Sequence, residues 1–553
     1  MEWVLHTHFH RDQCDGAVRL AALGARIGAP EAELGYFDAD LFWRTRNIFD
    51  NYNTYNDFAA PLASIPVDRA LADHEEFTWY DLRLRVVPAP GHTKGSIALV
   101  GEIDGRLVAF AGDTIHHSIR PWTLFDLEWG YGGQDGVVAL SLTLQTLASL
   151  PLDVILPSHG EPVSDPSAAC LALIRKLGGY HEWLHLYTYQ GGIGYPQLPA
   201  DTRVQPLTPH LWMNTTSFAN SYTLVTGDGS TMFLDYGFPS HAHFSANVRF
   251  VEHTLDDLRK VAGLKTIEVV LPSHYHDDHV CGLQYLHDQY GAQLWVFENQ
   301  EDILAHPEAY KITCLWQRPM TTGRVFGEGE TFKWRDITFT AARTPGHTEY
   351  HCAVSFELDG RRIVHAGDTI GRGITGPRLG GPIFQNRFTP GDFLTSITKI
   401  REFEPDYVLT GHWGALHLDP AFLDEALRRA RALNDVLWDL IAVPEEAGFA
   451  YDPNWATLYP YQITAAPGEP FAIEARIVNH LSAGARATVS LRLPEGWTSD
   501  LLLVEETIPR GGRGVLRFQV TAPAGPVRQV IAADITLNGR PFGPAAEGIV
   551  TVG

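Results

Sequence analysis

The chain has 553 residues, of which 45% are hydrophobic and 19% charged, a composition typical of globular protein rather than disorder. This length exceeds what one hydrophobic core ordinarily organises, so several domains are expected. A formal charge of −23 argues against nucleic acid as a partner, because the phosphate backbone would be repelled. Five scattered cysteines indicate reduced thiols, and no membrane-spanning run or N-terminal leader is visible. As given, the sequence predicts no membrane partner and a cytoplasmic location.

The chain contains a long internal repeat. Its first element reads MEWVLHTHFHRDQCDG from Met1 and returns as IEVVLPSHYHDDHVCG from Ile267. Three further motifs recur in the same order: Pro-Gly-His-Thr, Ala-Gly-Asp-Thr-Ile, and a strand-like run followed by histidine. The matching residues are His8 and His274, His92 and His347, Asp113 and Asp368, and His159 and His412. Four ordered motifs at nearly constant spacing indicate a gene duplication.

Both copies alternate short apolar strands with segments of helical periodicity, which is typical of an α/β fold. The predicted helices, in chain order, include 166–187, 283–290, 393–403 and 420–441. From about residue 461, short alternating strands predict an all-β sandwich, with strands at 471–478, 487–493, 514–520 and 529–537. Two Gly-containing turns, at 493–497 and 508–512, resemble those of immunoglobulin-like accessory domains. The predicted domains are therefore 1–195, 205–445 and 460–553.

Four side chains of metal-ligand type follow the predicted strand 267–271: His274, His276, Asp278 and His279. In an extended segment alternate side chains share a face, so the first three are expected on one side and His279 on the other. Three more such residues each follow a glycine later in the chain: His347, Asp368 and His412. Imidazole and carboxylate ligands suit zinc, although iron or manganese accepts the same types. The second copy is therefore predicted to hold two adjacent metal ions.

These motifs, HxHxDH, GH, GDT and GH in this order, resemble the metallo-β-lactamase-fold hydrolases, and the glyoxalase II-like branch most closely. The resemblance covers both copies and implies an αβ/βα sandwich in each, with the first copy N-terminally incomplete. It assigns His274, His276 and His347 to one metal, Asp278, His279 and His412 to the other, and Asp368 to both. It also implies that Asp235, in a D-x-G element, orients a metal-bound histidine.

Two such ions would bridge a water molecule and lower its pKa, so that hydroxide attacks a carbonyl or phosphoryl centre near neutral pH. Asp278 is the candidate for passing a proton to the leaving group. The short interval between His347 and Asp368 leaves no room for the insertion of the nucleolytic branches of the family. A small ester, thioester, lactone or lactam is therefore the expected substrate. Two alternatives stay open: a mononuclear iron enzyme that oxygenates a sulfur compound, and a non-catalytic binding or scaffold protein.

The first copy departs from the pattern. It keeps His8, His10, Asp12, His92, Asp113 and His159, but has Gln13 where the second copy has His279. A neutral amide is a poor ligand, so this copy is expected to be degenerate or to bind one metal. Only residues 1–7 precede His8, so the opening strands and the counterpart of Asp235 are missing. We expect a truncated start, which leaves export open, or a sheet edge that another element covers. Pairing of the two copies within the chain is a further expectation.

Three smaller features have competing interpretations. His116 and His117 follow Asp113 and are interpreted as loop histidines, with a place on the rim of the first site as the alternative. Cys281 is interpreted as a small buried hydrophobic residue rather than a ligand. The glycine-rich stretches 371–373 and 380–381 are interpreted as a flexible loop, with an anion cradle as the alternative.

Overall fold

The computed structural model describes residues 1–46, 59–187, 204–214, 217, 219–237, 248–373, 375–441, 447–523 and 525–553. The chain divides into two compact units. The first unit comprises Met1–His181, Glu308–Thr313 and Val436–Gly553, and therefore contains the first copy and the C-terminal strands. The second unit comprises Glu182–Pro307 and Cys314–Asp435 and contains the second copy. The predicted domain limits at 195 and 445 lie outside the described residues and stay predictions.

The second copy is built on two large sheets. The seven-stranded sheet has the spatial order Thr322–Phe326, Gln293–Phe297, Thr266–Leu271, Ser230–Leu234, Ser221–Val225, Leu211–Asn214 and Val204–Thr208. The six-stranded sheet has the order Thr331–Trp334, Ile337–Arg343, Cys352–Leu358, Arg361–Gly367, Tyr407–Thr410 and Ala415–His417. Apolar side chains from both sheets, such as Phe297 and Phe339, form one buried cluster. The two sheets therefore share a core, as alternation of apolar residues along the strands predicts.

Helices accompany these sheets: Val248–Val261, Asp277–Tyr290, Glu301–Ala305, Asp392–Glu402 and Pro420–Leu440. Strand Thr266–Leu271 lies parallel to Ser230–Leu234 and Gln293–Phe297 near the middle of its sheet. Such strands are buried on both faces, which explains the continuous apolar run Val269–Leu271. The segment that follows, where the metal-ligand motif begins, is therefore anchored at the end of a rigid central strand.

The first copy repeats this plan with fewer strands. A parallel three-stranded sheet contains Trp3–Leu5, Arg26–Pro30 and Arg69–Leu71. A five-stranded sheet contains Glu76–Trp79, Leu82–Pro88, Ile97–Ile103, Arg106–Gly112 and Val154–Pro157. Its helices are Arg11–Cys14, Ala17–Ala22, Leu34–Phe37, Ala39–Thr45, Asp135–Ser149 and Pro166–Tyr187. Phe110, whose register matches that of the buried His365 in the second copy, is 37% exposed, which accords with the smaller number of strands among the described residues of the first copy.

The C-terminal region consists of two sheets around one core. The first has the order Ala456–Tyr459, Pro470–Val478, Arg513–Thr521 and Thr498–Ser499. The second has the order Gln462–Ala465, Arg540–Val552, Val527–Leu537, Ala485–Arg492 and Val504–Ile508. Inward side chains of both sheets, including Ile473, Trp497 and Phe518, form a common buried cluster. The predicted β-sandwich is confirmed as a strand-rich region, while its immunoglobulin-like character stays a prediction.

Several local expectations can be compared directly. The helix Pro166–Tyr187 has the predicted bounds and continues through Gly178 and Gly179 without a break. All five cysteines are buried and outside disulfide bonds, and Cys281 is 2% exposed, in agreement with its interpretation as a small apolar residue. Within the described part of the chain, no helix has both the length and the apolar composition that crossing a bilayer requires.

Candidate metal centre

The ligand motif of the second copy straddles the start of a helix. His276 is the cap residue, with φ −59° and ψ 142°, and the helix begins at Asp277. Asp278 and His279 therefore lie in the first helical turn, so the expectation of an extended segment was wrong for these two residues. The Asp278 backbone N–H donates to Asp277 Oδ1 at 2.9 Å, which satisfies one of the N–H groups that a helix start leaves without an intrahelical partner.

Three histidines form the first half of the site. His274 Nε2 lies 2.8 Å from His276 Nδ1, and His347 Nε2 lies 3.2 Å from the same atom. All three side chains are buried, and one nitrogen of each lies within 4.8 Å of the others. The predicted first ligand group is thus brought together from two distant segments of the chain.

The second half consists of Asp278 and His279, from the helix, and His412, which follows a strand of the six-stranded sheet. Asp278 Oδ2 lies 3.3 Å from His412 Nε2, and His279 Nε2 lies 3.8 Å from Asp278 Oδ1. Asp368 lies between the two halves. Its Oδ2 is 3.1 Å from His412 Nε2 and 3.3 Å from His347 Nε2, and its Oδ1 is 3.5 Å from His279 Nε2. All seven predicted residues therefore converge.

Gly411 shows why glycine precedes His412. A Cβ atom at this position would lie 2.0 Å from Asp368 Oδ1 and 2.7 Å from His279 Cε1. Any side chain there would displace two of the converging residues, so the close approach of the backbone requires glycine.

A buried carboxylate supports the site from behind. Asp235 Oδ2 lies 2.9 Å from His279 Nδ1, 2.8 Å from Ser273 Oγ and 3.0 Å from His365 Nε2, and its Oδ1 accepts the Ser273 N–H at 2.6 Å. Ser273 Oγ in turn lies 2.9 Å from His274 Nδ1. Despite burial, the neighbouring His365 and His279 hold the pKa of Asp235 well below its usual range. The ionised carboxylate therefore fixes which ring nitrogen of His279 faces the site.

Three supporting side chains were missed by the sequence analysis. Besides His365, they are His351, whose Nε2 accepts the Asp368 N–H at 3.2 Å, and Gln300, whose Nε2 donates to Ser273 O at 2.7 Å and Tyr350 O at 3.1 Å. The first copy has Ser96 and Phe110 where the second has His351 and His365. A comparison restricted to positions where the two copies agree does not find His351 and His365. The signal that could have found them is that each is a histidine in the second copy and a different residue in the first.

The two halves of the site differ electrostatically. Burial lowers the pKa of His347 to about 4, and holds the pKa of His274 and that of His276 well below the usual value. Burial acts in the same direction on His412, but the carboxylates of Asp368 and Asp278 outweigh it and raise its pKa to about 10. The same carboxylates raise the pKa of His279 well above the usual value. The first half is thus neutral at neutral pH, whereas the second half holds protons that a metal must displace.

The donor set fits divalent metal ions. Five imidazoles and two carboxylates converge with almost no solvent contact, a density of ligand atoms that hydrogen bonding alone does not require. His279 Nε2 is fully buried and makes no hydrogen bond to the described residues, although its Nδ1 is held by Asp235. A nitrogen oriented in this way into a cluster of ligands is expected to bind a cation.

The first copy reproduces the first half of this arrangement. His10 Nδ1 lies 2.9 Å from His92 Nε2, and Asp113 Oδ2 lies 3.2 Å from His92 Nε2 and 3.5 Å from His8 Nε2. The three histidines are buried. His92 Nδ1 faces Asp126 Oδ2 at 3.7 Å, and burial raises the pKa of Asp126 to about 6. Three imidazoles and one carboxylate are therefore available here.

The second half of the first site differs from its counterpart. Gln13 Nε2 donates to Asp12 Oδ2 at 3.2 Å and lies 3.2 Å from His159 Nε2. Asp12 and His159 lie 3.0 Å apart, with side chains 42% and 27% exposed, against 10% and 3% for Asp278 and His412. Exposure and the missing imidazole both weaken metal binding at this position. The predicted residues are together, but as a poorer ligand group.

The structure also shows the surroundings of His117 and of the glycine-rich stretch 371–373. His117 Nδ1 accepts the Glu161 N–H at 3.0 Å, so this loop histidine contacts the segment directly after His159. The stretch 371–373 was expected to be a flexible loop; instead Ile370–Gly373 pairs with Gly376–Leu379 in a two-stranded hairpin. A Cβ at Gly371 would lie 2.1 Å from the Trp413 ring, so ring packing requires glycine there.

Comparison with known proteins accords with this geometry. A family model described as "Metallo-beta-lactamase superfamily" matches residues 2–159 and 215–412, in two segments as the internal repeat predicts. The chain belongs to this superfamily. Its relatives include a hydroxyacylglutathione hydrolase of Xanthomonas axonopodis pv. citri, 25% identical over 38% of this chain and 75% of that protein. A second, from Anaeromyxobacter dehalogenans, is 34% identical over 20% of this chain and 32% of that protein.

Two solved structures also resemble part of the chain. A metallo-β-lactamase from Cronobacter sakazakii has a TM-score of 0.34 and 18% identity, covering 42% of this chain and 93% of that one. The FEZ-1 metallo-β-lactamase from Legionella gormanii has a TM-score of 0.34 and 20% identity, covering 44% of this chain and 98% of that one. Family membership and relatives together make this chain a metallo-β-lactamase-superfamily hydrolase, with the mixed α/β fold in two segments.

Proposed function

We propose that the second copy is a dinuclear zinc hydrolase that cleaves a small thioester, with esters, lactones and lactams as less favoured substrates. The observation that carries this proposal is the convergence of five buried histidines and two aspartates in one centre. His274, His276 and His347 would hold one ion, and Asp278, His279 and His412 the other, with Asp368 shared. When bound, the ions supply Lewis acidity and a nucleophilic water at neutral pH.

The chain's own residues then have separate tasks. Asp235 and Ser273 orient His279 and His274, so the ligand nitrogens are aligned before any ion arrives. Despite burial, the adjacent His279 and His412 lower the pKa of Asp278 to about 2, so its carboxylate is ionised at neutral pH. The ionised form is the one that a metal ligand needs, and we propose that the same carboxylate also passes a proton to the departing group.

Similarity to the hydroxyacylglutathione hydrolases favours the thioester. The name of these relatives describes cleavage of an acyl-glutathione thioester, and the Xanthomonas relative aligns over 75% of its own length. The acidic charge of this chain also disfavours a polyanionic substrate.

The first copy is assigned a single metal ion. His8, His10 and His92 supply three buried imidazoles, and Asp113 supplies a carboxylate within 3.5 Å of two of them. Gln13 and the exposed Asp12 leave the neighbouring position weaker. We assign this copy a supporting rather than the principal catalytic role. The cytoplasmic location and the pairing of the two copies stay predictions.

The test is hydrolysis of an S-hydroxyacylglutathione by protein purified without added metal, with its metal content measured alongside. Three zinc ions per chain, two of them in the second copy, and thioester cleavage are expected, and H276A should lose the ion that His276 holds and at least 99% of the rate. The matched control is H210A, which removes a half-exposed histidine of the same unit. One iron per chain with oxygen consumption would contradict the hydrolase proposal, as would unchanged activity in H276A.

A further inference from the structure

The first copy's ligand motif contains an arginine that the second copy lacks. Arg11 lies between His10 and Asp12, and the matching residue of the second copy is Asp277. The Asp277 carboxylate accepts the neighbouring Asp278 N–H at 2.9 Å. Arg11 is 6% exposed, and a buried guanidinium requires an anionic partner.

That partner comes from the C-terminal sandwich. Glu547, on strand Arg540–Val552, places Oε2 3.0 Å from Arg11 Nη1, and the same nitrogen donates to Pro544 O at 3.3 Å. The two side chains are only 2% and 7% exposed. The ion pair joins residues more than 500 positions apart in the chain and reaches directly into the motif that supplies His10.

Glu547 is the centre of a buried charge cluster within the first unit. Its other oxygen, Oε1, is bonded by Lys311 and lies 3.4 Å from Tyr461 OH. Despite burial, Lys311 and Arg11 lower the pKa of Glu547, and burial lowers that of Lys311 to about 8. One carboxylate thus pairs with two buried cations, and Arg46 adds positive charge nearby, so loss of the Glu547 charge takes a counter-charge away from both Arg11 and Lys311.

We propose that the C-terminal sandwich contributes to the first metal site. Glu547, on the sandwich, acts through Arg11 as a positioning residue for His10 and Asp12. Arg11 is the first residue of the short helix Arg11–Cys14, whose Gln13 and Cys14 N–H groups donate to His10 O. If Arg11 loses its anion, its guanidinium must move toward water and carry the helix start with it. The inference rests on the proposed single metal ion of the first copy.

The test measures zinc binding to the first site in the full chain, with the second site disabled by H276A and D368A. This parent should bind one zinc ion, and E547Q, which keeps the shape and removes the charge, should raise its dissociation constant at least tenfold. The double variant R11Q/E547Q should lose no more zinc affinity than whichever of its two single variants binds zinc more weakly, because both substitutions break the same ion pair. The matched control is R492M, which removes the ion pair between the half-exposed Arg492 and Asp15. This pair also joins the sandwich to the first copy, and its loss should change the zinc dissociation constant by less than twofold.

A second measurement needs no substitution in the charge cluster. Because coupling is reciprocal, zinc added to the parent should slow amide hydrogen exchange in strand Arg540–Val552. Absence of that protection overturns the inference even where E547Q fails to fold. A zinc affinity in E547Q within twofold of the parent overturns the inference alone, whereas a parent that binds no zinc refutes the first-site metal and the inference together.

Discussion

Replacing Asp235 by asparagine tests the support of the second metal position. The carboxylate accepts from Ser273 through both oxygens and from His279 Nδ1 at 2.9 Å, and it faces His365 at 3.0 Å. In D235N one carboxylate oxygen is replaced by an NH2 group, which cannot accept a hydrogen bond from the surrounding donors. At least one hydrogen bond to a charged group is therefore lost. Such a bond contributes about 1.5–3 kcal/mol. His279 is then free to rotate or change tautomer.

The expected result is a 10- to 100-fold weaker affinity for the ion held by His279, typical of losing a carboxylate behind a ligating histidine. This corresponds to about 1.4–2.8 kcal/mol. Chelator competition with metal counting measures it. Because the pKa of Asp235 is lowered in the folded protein, its stabilisation is present above the ordinary aspartate pKa and lost as pH falls. The D235N deficit in unfolding free energy should therefore shrink in acid.

The matched control is D359N. Asp359 has the same kinds of donor, a threonine hydroxyl at 2.6 Å, a backbone N–H at 3.0 Å and a histidine ring nitrogen at 2.7 Å, but it lies at the surface. This variant should retain metal like the unmodified protein. If D235N also keeps its second ion within twofold, Asp235 does not orient the ligand and the reasoning is refuted.

Three further outcomes are expected. H365F introduces the residue found at the matching position of the first copy. It should lower the affinity for the ion held by His279 less than D235N does, because His279 and Ser273 still bind Asp235. An equal loss of affinity in the same chelator assay would contradict this. Zinc affinity of the second half should rise with pH, since the pKa of His412 is raised to about 10 and its proton must leave; calorimetry in buffers of different ionisation enthalpy should detect proton release, and a pH-independent affinity would contradict it. Q13H should increase the metal content of the first copy but leave it weaker than the second, because Asp12 and His159 beside the new ring are more exposed than Asp278 and His412; unchanged content would show that the ligand is not limiting.

Much of the catalytic centre is encoded locally in the chain. His274, His276 and their neighbours were recognisable because ligand-type side chains concentrate after one apolar strand, and the repeat gave their partners. The helix start at Asp277 was missed, because a run of polar residues after a strand is compatible with either extended or helical backbone. The hydrogen bond from the Asp278 N–H to Asp277 satisfies one donor of the helix start, and the sequence pattern does not show it.

The supporting residues needed the fold. His351 and His365 carry no motif, and Gln300 is an ordinary polar residue until packing places it between Ser273 and Tyr350. Arg11 was visible only as a departure from the second copy, and its partner Glu547 lies in a strand with no metal-site pattern. Contacts of this kind depend on which surfaces are buried together.

The sequence alone therefore predicted the two copies, the candidate ligands, the departure at Gln13 and the β-sandwich, because each depends on residue type, order and local periodicity. The tertiary structure decided that the seven candidate ligands converge, which nitrogen of His279 faces them, and that the sandwich contacts the ligand motif of the first copy through Glu547. The physical reason is that burial and charge pairing join residues far apart in the chain, and only packing brings them into range.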